Sequence, residues 1–223
     1  MKMYMKSLIV IVALIMAITG AKAQSKISEG KIVYTITMAD NDIDPQVAAM
    51  MPREMTLTFK GNKSKADMDM GMIVMKAIYD DKSKIFTMLM DMMGQKMSFK
   101  MNADSMEKME GKRPKMTIKY LDETKVICGY TCHKAEITVE GEKEKQIIYY
   151  TKDIVAKNAN AIKGGLKELD GFPMEYQVYE KGLKMKFIVK SVSADQVNDL
   201  VFNIPPDYKE LSKVDLQKMG GGH

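Results

Sequence analysis

At 223 residues, with a formal net charge of +5, the chain is long enough for one domain with a sizeable core. It has no tryptophan and only two histidines, His133 and His223, a thin inventory for acid–base catalysis. Lys60, Lys63, Lys65, Lys143 and Lys145 are interleaved with acidic and polar residues, so there is no basic stripe of the kind that binds nucleic acid.

Residues 1–23 have the pattern of a secretory leader: Lys2 and Lys6 at the start, an apolar run over residues 8–18, and the small-residue cleavage site Ala21-Lys22-Ala23. The run is too short to span a bilayer. The leader holds three lysines and no acidic residue, so its removal lowers the net charge from +5 to +2. The expected mature protein starts at Gln24, is periplasmic or extracellular, and is soluble. No cysteine near the cleavage point offers a lipid attachment site, and no later apolar stretch is long enough to cross a membrane.

The rest reads mainly as short strands separated by turn signals, a pattern that predicts an antiparallel sheet or barrel. Residues 31–38 alternate, with Ile32, Tyr34, Ile36 and Met38 on one face. Pro45 opens one or two helical turns, closed by Pro52. Residues 54–60 alternate again, and Gly61-Asn62 is a turn signal. Residues 67–72, 87–92 and 95–101 carry methionine at alternate positions and are expected to be strands, with another at 73–79 between them. Residues 102–114 form a short capped helix or a flap. Strands follow at 116–121, 124–128, 131–139 and 146–150. Residues 153–171 have weak helical character around Gly164-Gly165, and the hairpin at 172–192 turns at Lys181-Gly182. Phe202-Asn203-Ile204-Pro205-Pro206 is extended by its prolines, and a last short helix runs from Ser212 to Met219. The expected organisation is a leader over 1–23, one β-rich domain over 24–219 and a glycine tail over 220–223.

The methionine segments are the strongest pointer to function. Side chains alternate across a strand, so Met68, Met70 and Met72 share one face, as do Met88, Met90 and Met92, and then Met97, Phe99 and Met101. Lys96, Ser98 and Lys100 face the other way, predicting a wet opposite side. Three readings fit: a core in which methionine replaces leucine, a concavity for an apolar ligand, or a Cu(I) site of soft thioether donors. Asp67 and Asp69 lie opposite the methionines, as expected of a solvated face.

Cys128 and Cys132 flank Gly129-Tyr130-Thr131. If those three residues form the hairpin loop, the cysteines face each other, and an oxidising compartment favours a disulfide. Such a small ring would contribute only about 2 kcal/mol. A metal site using these cysteines and His133 lacks a fourth ligand. Gly164-Gly165 has no following Lys-Ser/Thr, and no nucleophile elbow is present, so neither a phosphate loop nor a catalytic constellation emerges.

Four segments carry a family resemblance. They are Met51-Pro-Arg-Glu-Met55 with Thr58-Phe-Lys-Gly-Asn-Lys-Ser64, Leu89-Met-Asp-Met-Met-Gly-Gln-Lys96, Lys125-Val-Ile-Cys-Gly-Tyr-Thr-Cys-His-Lys-Ala135, and Phe202-Asn-Ile-Pro-Pro-Asp-Tyr-Lys209. Together they resemble the exported bacterial family catalogued as domain of unknown function 4412, over residues 30–211. The closing Phe-x-Ile-Pro-x-x-Tyr and the Gly129-Tyr130 hairpin are similar to those of periplasmic lipoprotein carriers of the LolA and LppX type. That similarity implies a curved antiparallel sheet forming an incomplete barrel with a few short helices, its concave face holding acyl chains.

The combined expectation is an exported, non-enzymatic protein with no cofactor, binding a lipid or lipoprotein acyl chain along Met68, Met70, Met72, Met88, Met90, Met92, Met97, Phe99 and Met101. Its partners would be that apolar ligand and a lipoprotein or envelope protein. Alternatives are a Cu(I)-binding envelope protein and a structural or protein-interaction domain.

Overall fold

The computed structural model describes residues 26–38, 44–102, 105, 115–142, 144–156, 166–180, 183–212 and 215. The leader, most of the 102–114 segment, residues 157–165, the turn at Lys181-Gly182, and nearly all of the last helix and the tail lie outside them.

Short turns between alternating segments produce twelve strands among the described residues. They are β1 (Glu29–Met38), β2 (Glu54–Lys60), β3 (Lys63–Asp69), β4 (Ile73–Asp80), β5 (Ile85–Met92), β6 (Gln95–Asn102), β7 (Met116–Ile127), β8 (Tyr130–Val139), β9 (Gln146–Thr151), β10 (Phe172–Glu180), β11 (Leu183–Ser193) and β12 (Lys209–Glu210). A short helix, α1 (Pro45–Ala49), begins at Pro45 and is capped by Asp44, whose Oδ1 accepts from the Gln46 amide at 2.7 Å.

All strands join one sheet in the order β12-β6-β5-β4-β3-β2-β1-β11-β10-β9-β8-β7. β1 lies mid-sheet: β1 to β6 meander to one edge, and β7 to β11 return from the other to pair β11 with β1. Every pairing is antiparallel except the short parallel contact of β12 with β6. The edges do not meet, so the sheet is an open half-barrel.

Two hairpin tips show how sequence sets register. Met93-Gly94 joins β5 to β6 with φ of 53° and 90°, and Cys128-Gly129 joins β7 to β8 with φ of 51° and 83°. Two successive positive φ values mark the turn whose twist matches paired strands, and glycine at the second position relieves it. The loop between β7 and β8 is one residue shorter than expected. The predicted break at Asp122-Glu123 is instead a bulge between Tyr120 and Thr124 within the single strand β7.

The inner face divides into two halves. Across β1, β2 and β8 to β11 it is packed shut by Ile32, Tyr34, Leu57, Phe59, Ile137, Ile148, Phe172 and Met174. Tyr34 sits edge-on to Tyr176, with centroids 5.9 Å apart, and Tyr176 stacks on Phe187 at 4.9 Å. The Tyr34 hydroxyl donates to the Pro173 carbonyl at 2.8 Å.

The outer face of β4 and β5 departs from expectation. Ile78 and Leu89 are buried there beneath Val197 and Phe202, with Ile204 and Tyr208 alongside. The strap over residues 195–211 supplies these side chains and is fastened by Lys96 to Asp207 at 2.6 Å and Lys100 to Glu210 at 3.0 Å. The predicted wet face is therefore covered in part: Ser98 is 1% exposed, while Lys96 and Lys100 reach past it to the strap's carboxylates. Alternation within β6 could not reveal this, because the covering residues lie a hundred positions downstream.

Candidate functional site

The register of β3 to β6 aligns the methionines. Met55 of β2 pairs with Met68, Met68 with Met75, Met75 with Met90, and Met90 with Met97. Directly opposed residues hold their Cβ atoms about 4.5–5.5 Å apart, so five thioethers form one row across neighbouring strands. The same face carries Ala66, Ala77, Met88 and Phe99 in the next row, then Ser64, Tyr79, Phe86 and Met101. On the far side, Ile73 pairs with Met92, and the Met70 amide donates to the Ile73 carbonyl at 2.9 Å. By this register, no charged residue of β3 to β6 points to the inner face.

Burial separates this region from an ordinary core. Met55, at the junction with the packed half, is 3% exposed. Met68, Met70, Met75, Met88, Met90, Met97, Phe99 and Met101 are all only half-buried, and Met92 is 37% exposed. The outer face of the same strands buries Ile78, Thr87, Leu89 and Ser98. Ser64, Ala66 and Phe86 on the inner face are buried too, so both faces are partly covered, and the inner one leaves its methionine row half-buried beside them.

Of the residues picked out from sequence, the structure brings Met68, Met70, Met88, Met90, Met92, Met97, Phe99 and Met101 together. Met72 departs from them. β3 ends at Asp69, and the chain turns through Gly71 at φ 79°, leaving Met72 on the hairpin tip at 59% exposure. Met93 on the neighbouring tip is 83% exposed, and its amide donates to the Met72 carbonyl at 3.3 Å. Met75, the central member of the row, was missed. The alternation Ile73, Met75, Ala77, Tyr79 was the available signal.

The carboxylates serve the scaffold. Asp69 Oδ1 accepts from the Gly71 amide at 2.8 Å, and Asp91 Oδ1 from the Gly94 amide at 2.8 Å, each closing the turn after its strand. Asp67 pairs with Lys65 on the outer face at 3.1 Å. Among the described residues, no three His, Cys, Asp or Glu side chains gather into a metal set.

The expected Cys128–Cys132 disulfide is not formed: both thiols are free. The reason is the register. Cys128 occupies the two-residue turn, and the residue opposite Cys132 is Lys125. The Cys128 thiol donates to the Val189 carbonyl at 3.3 Å, while Cys132 is fully buried with its thiol 3.4 Å from the Tyr130 carbonyl. Burial pushes the Cys132 thiol up to about 11 and also raises Cys128, so neither is an activated thiolate.

Two depressions lie elsewhere. One borders α1 and β2, lined by Thr37, Met51, Pro52 and Arg53, and the other lies beneath the strap beside Lys31, Thr58 and Lys65. The methionines themselves are half-buried along their face. What it offers chemically is uncharged, deformable apolar area and soft sulfur donors. Among the described residues, no helix is long and apolar enough to cross a membrane.

Comparison with solved structures places the fold among known architectures. A structure of PNGF-II in space group C2 is 16% identical, with a TM-score of 0.51 over 87% of this chain and 33% of that one. The P21 form gives 14% identity and a TM-score of 0.49 over 86% and 33%. The chain thus spans about a third of PNGF-II, and the likeness is one of fold. A beta-barrel-like protein of domain of unknown function DUF1849 from Brucella abortus aligns at 7% identity and a TM-score of 0.35, over 75% of this chain and 98% of that one. No curated protein matches the sequence. The family described as Domain of unknown function (DUF4412) matches residues 29–208, nearly the whole sheet, and the chain belongs to it.

Proposed function

We propose that this protein is exported and non-enzymatic, and that it receives an apolar ligand, a lipid or the acyl chain of a lipoprotein, on the inner methionine face of β3 to β6. The observation that carries the reading is an uncharged inner face whose methionines and Phe99 stay half-buried, while a strap packs over Ile78 and Leu89 on the opposite side. Methionine has three rotatable bonds and a polarizable sulfur, which suits a surface meeting chains of variable shape. Covering several hundred Å² of acyl chain at about 25 cal/mol per Å² supplies several kcal/mol, enough for binding near the micromolar range. Export rests on the leader pattern of residues 1–23.

The test is titration with a fluorescent fatty acid. Met90→Gln and Met75→Gln put an amide in the middle of the row and are expected to weaken binding at least tenfold with an unchanged circular dichroism spectrum. Binding that is absent in the parent protein, or indifferent to both changes, overturns the proposal.

A further inference from the structure

The row is also a set of soft donors, and we infer that Met68, Met75, Met90 and Met97 form a Cu(I) site. Sequence alone spreads these residues over thirty positions, whereas the sheet pairs them consecutively: Met68 with Met75, Met75 with Met90, Met90 with Met97. Any three consecutive members place the outer two about two strand spacings apart, roughly 9.5 Å. Long, flexible side chains leaning towards the middle one close that span, and the inward curvature of a half-barrel shortens it. All four residues are half-buried, and Met68 also packs against the neighbouring core. Met70 and Met92 flank the row at the end nearest the hairpin tips, where exposed Met72 and Met93 offer further thioethers on the way in.

The donor chemistry selects the ion. Thioethers are neutral, soft ligands that favour Cu(I), whereas calcium and magnesium require oxygen donors. By the strand register, this face of β3 to β6 presents no carboxylate and no imidazole. The site therefore discriminates by softness, taking Cu(I) and its surrogate Ag(I) and refusing Zn(II). The inference goes beyond acyl binding and can be separated from it, since Met→Leu changes remove sulfur while keeping apolar area.

The experiment uses the full chain carrying Cys128→Ser and Cys132→Ala, because thiolates would outcompete thioethers for the ion. Anaerobic titration with Cu(I) against a chromogenic chelator is expected to give one ion per chain. The X-ray absorption spectrum should then show a sulfur-only shell, and Zn(II) should not bind. Met75→Leu with Met90→Leu is expected to weaken Cu(I) binding at least tenfold while fatty-acid binding persists. Met72→Leu with Met93→Leu should leave Cu(I) binding within about twofold. Three results overturn the inference: no Cu(I) retained against the chelator, nitrogen or oxygen in the shell, or binding that survives loss of Met75 and Met90. If fatty-acid binding fails while Cu(I) binding holds, the acyl reading falls and this one stands.

Discussion

Truncating one methionine on each half of the inner face distinguishes a receptive surface from a filled core. Met174 on β10 is 0% exposed, so Met174→Ala removes its whole transfer free energy and leaves a closed void, a loss of about 2–5 kcal/mol. Met90 is half-buried, between Met75 and Met97 on an open face. Met90→Ala forfeits only part of the transfer free energy, and the gap it leaves is open to water, so its cost is about 1 kcal/mol. In a domain of this size, 1 kcal/mol corresponds to about 2–4 °C in Tm. Met90→Ala should therefore shift Tm by a few degrees and Met174→Ala by on the order of 10 °C. Urea and thermal unfolding followed by circular dichroism reads both values. Equal losses for the two variants would mean that the methionine half is packed like the other half, and the ligand-binding argument would lose its basis.

Phe202→Ala uncovers Ile78 and Leu89 on the outer face and should cost about 3–5 kcal/mol in urea unfolding, whereas a floating strap would cost almost nothing. Gly30 has φ 153°, and an added Cβ would lie 2.2 Å from the Ser193 carbonyl oxygen, so Gly30→Ala should destabilise by at least about 2 kcal/mol. Gly71→Ala, at φ 79° with nothing within 4 Å, should cost only about 1 kcal/mol of backbone strain, and similar values for the two would refute the packing at Gly30. Brief alkylation of the native protein should modify exposed Cys128 and spare buried Cys132 until urea is added, read by intact mass. Burial holds the Cys132 proton to about 11 in the folded state against 9.0 unperturbed, so its stabilising contribution is complete below pH 9 and lost as pH rises towards 11. The loss is on the order of 2 kcal/mol and should be smaller in Cys132→Ala. Tyr34 and Tyr176, both raised chiefly by burial, act in the same direction at still higher pH.

Local sequence determined the elements of this protein: alternation set the strands, Gly94 and Gly129 marked hairpin tips, and Pro45 started a short helix. It also determined that Met88 and Met90 share one face of their strand, and Met97, Phe99 and Met101 one face of theirs, because the strand period of two is a property of the backbone itself. Three things came from tertiary structure. Loop length decided the fate of the cysteines, since a turn of two residues, in place of three, moved Cys128 into the loop and set Lys125 opposite Cys132. Sheet order decided that methionines from separate hairpins stand in one row with Met75 at its centre, because pairing between strands depends on register that no single strand encodes. The strap decided which face stays open. Alternation shows that a strand has two unlike sides, but only the position of Val197 and Phe202 over Ile78 and Leu89 shows which side is already occupied. Burial is a relation between distant segments, so the feature most relevant to binding is the one a local pattern cannot express.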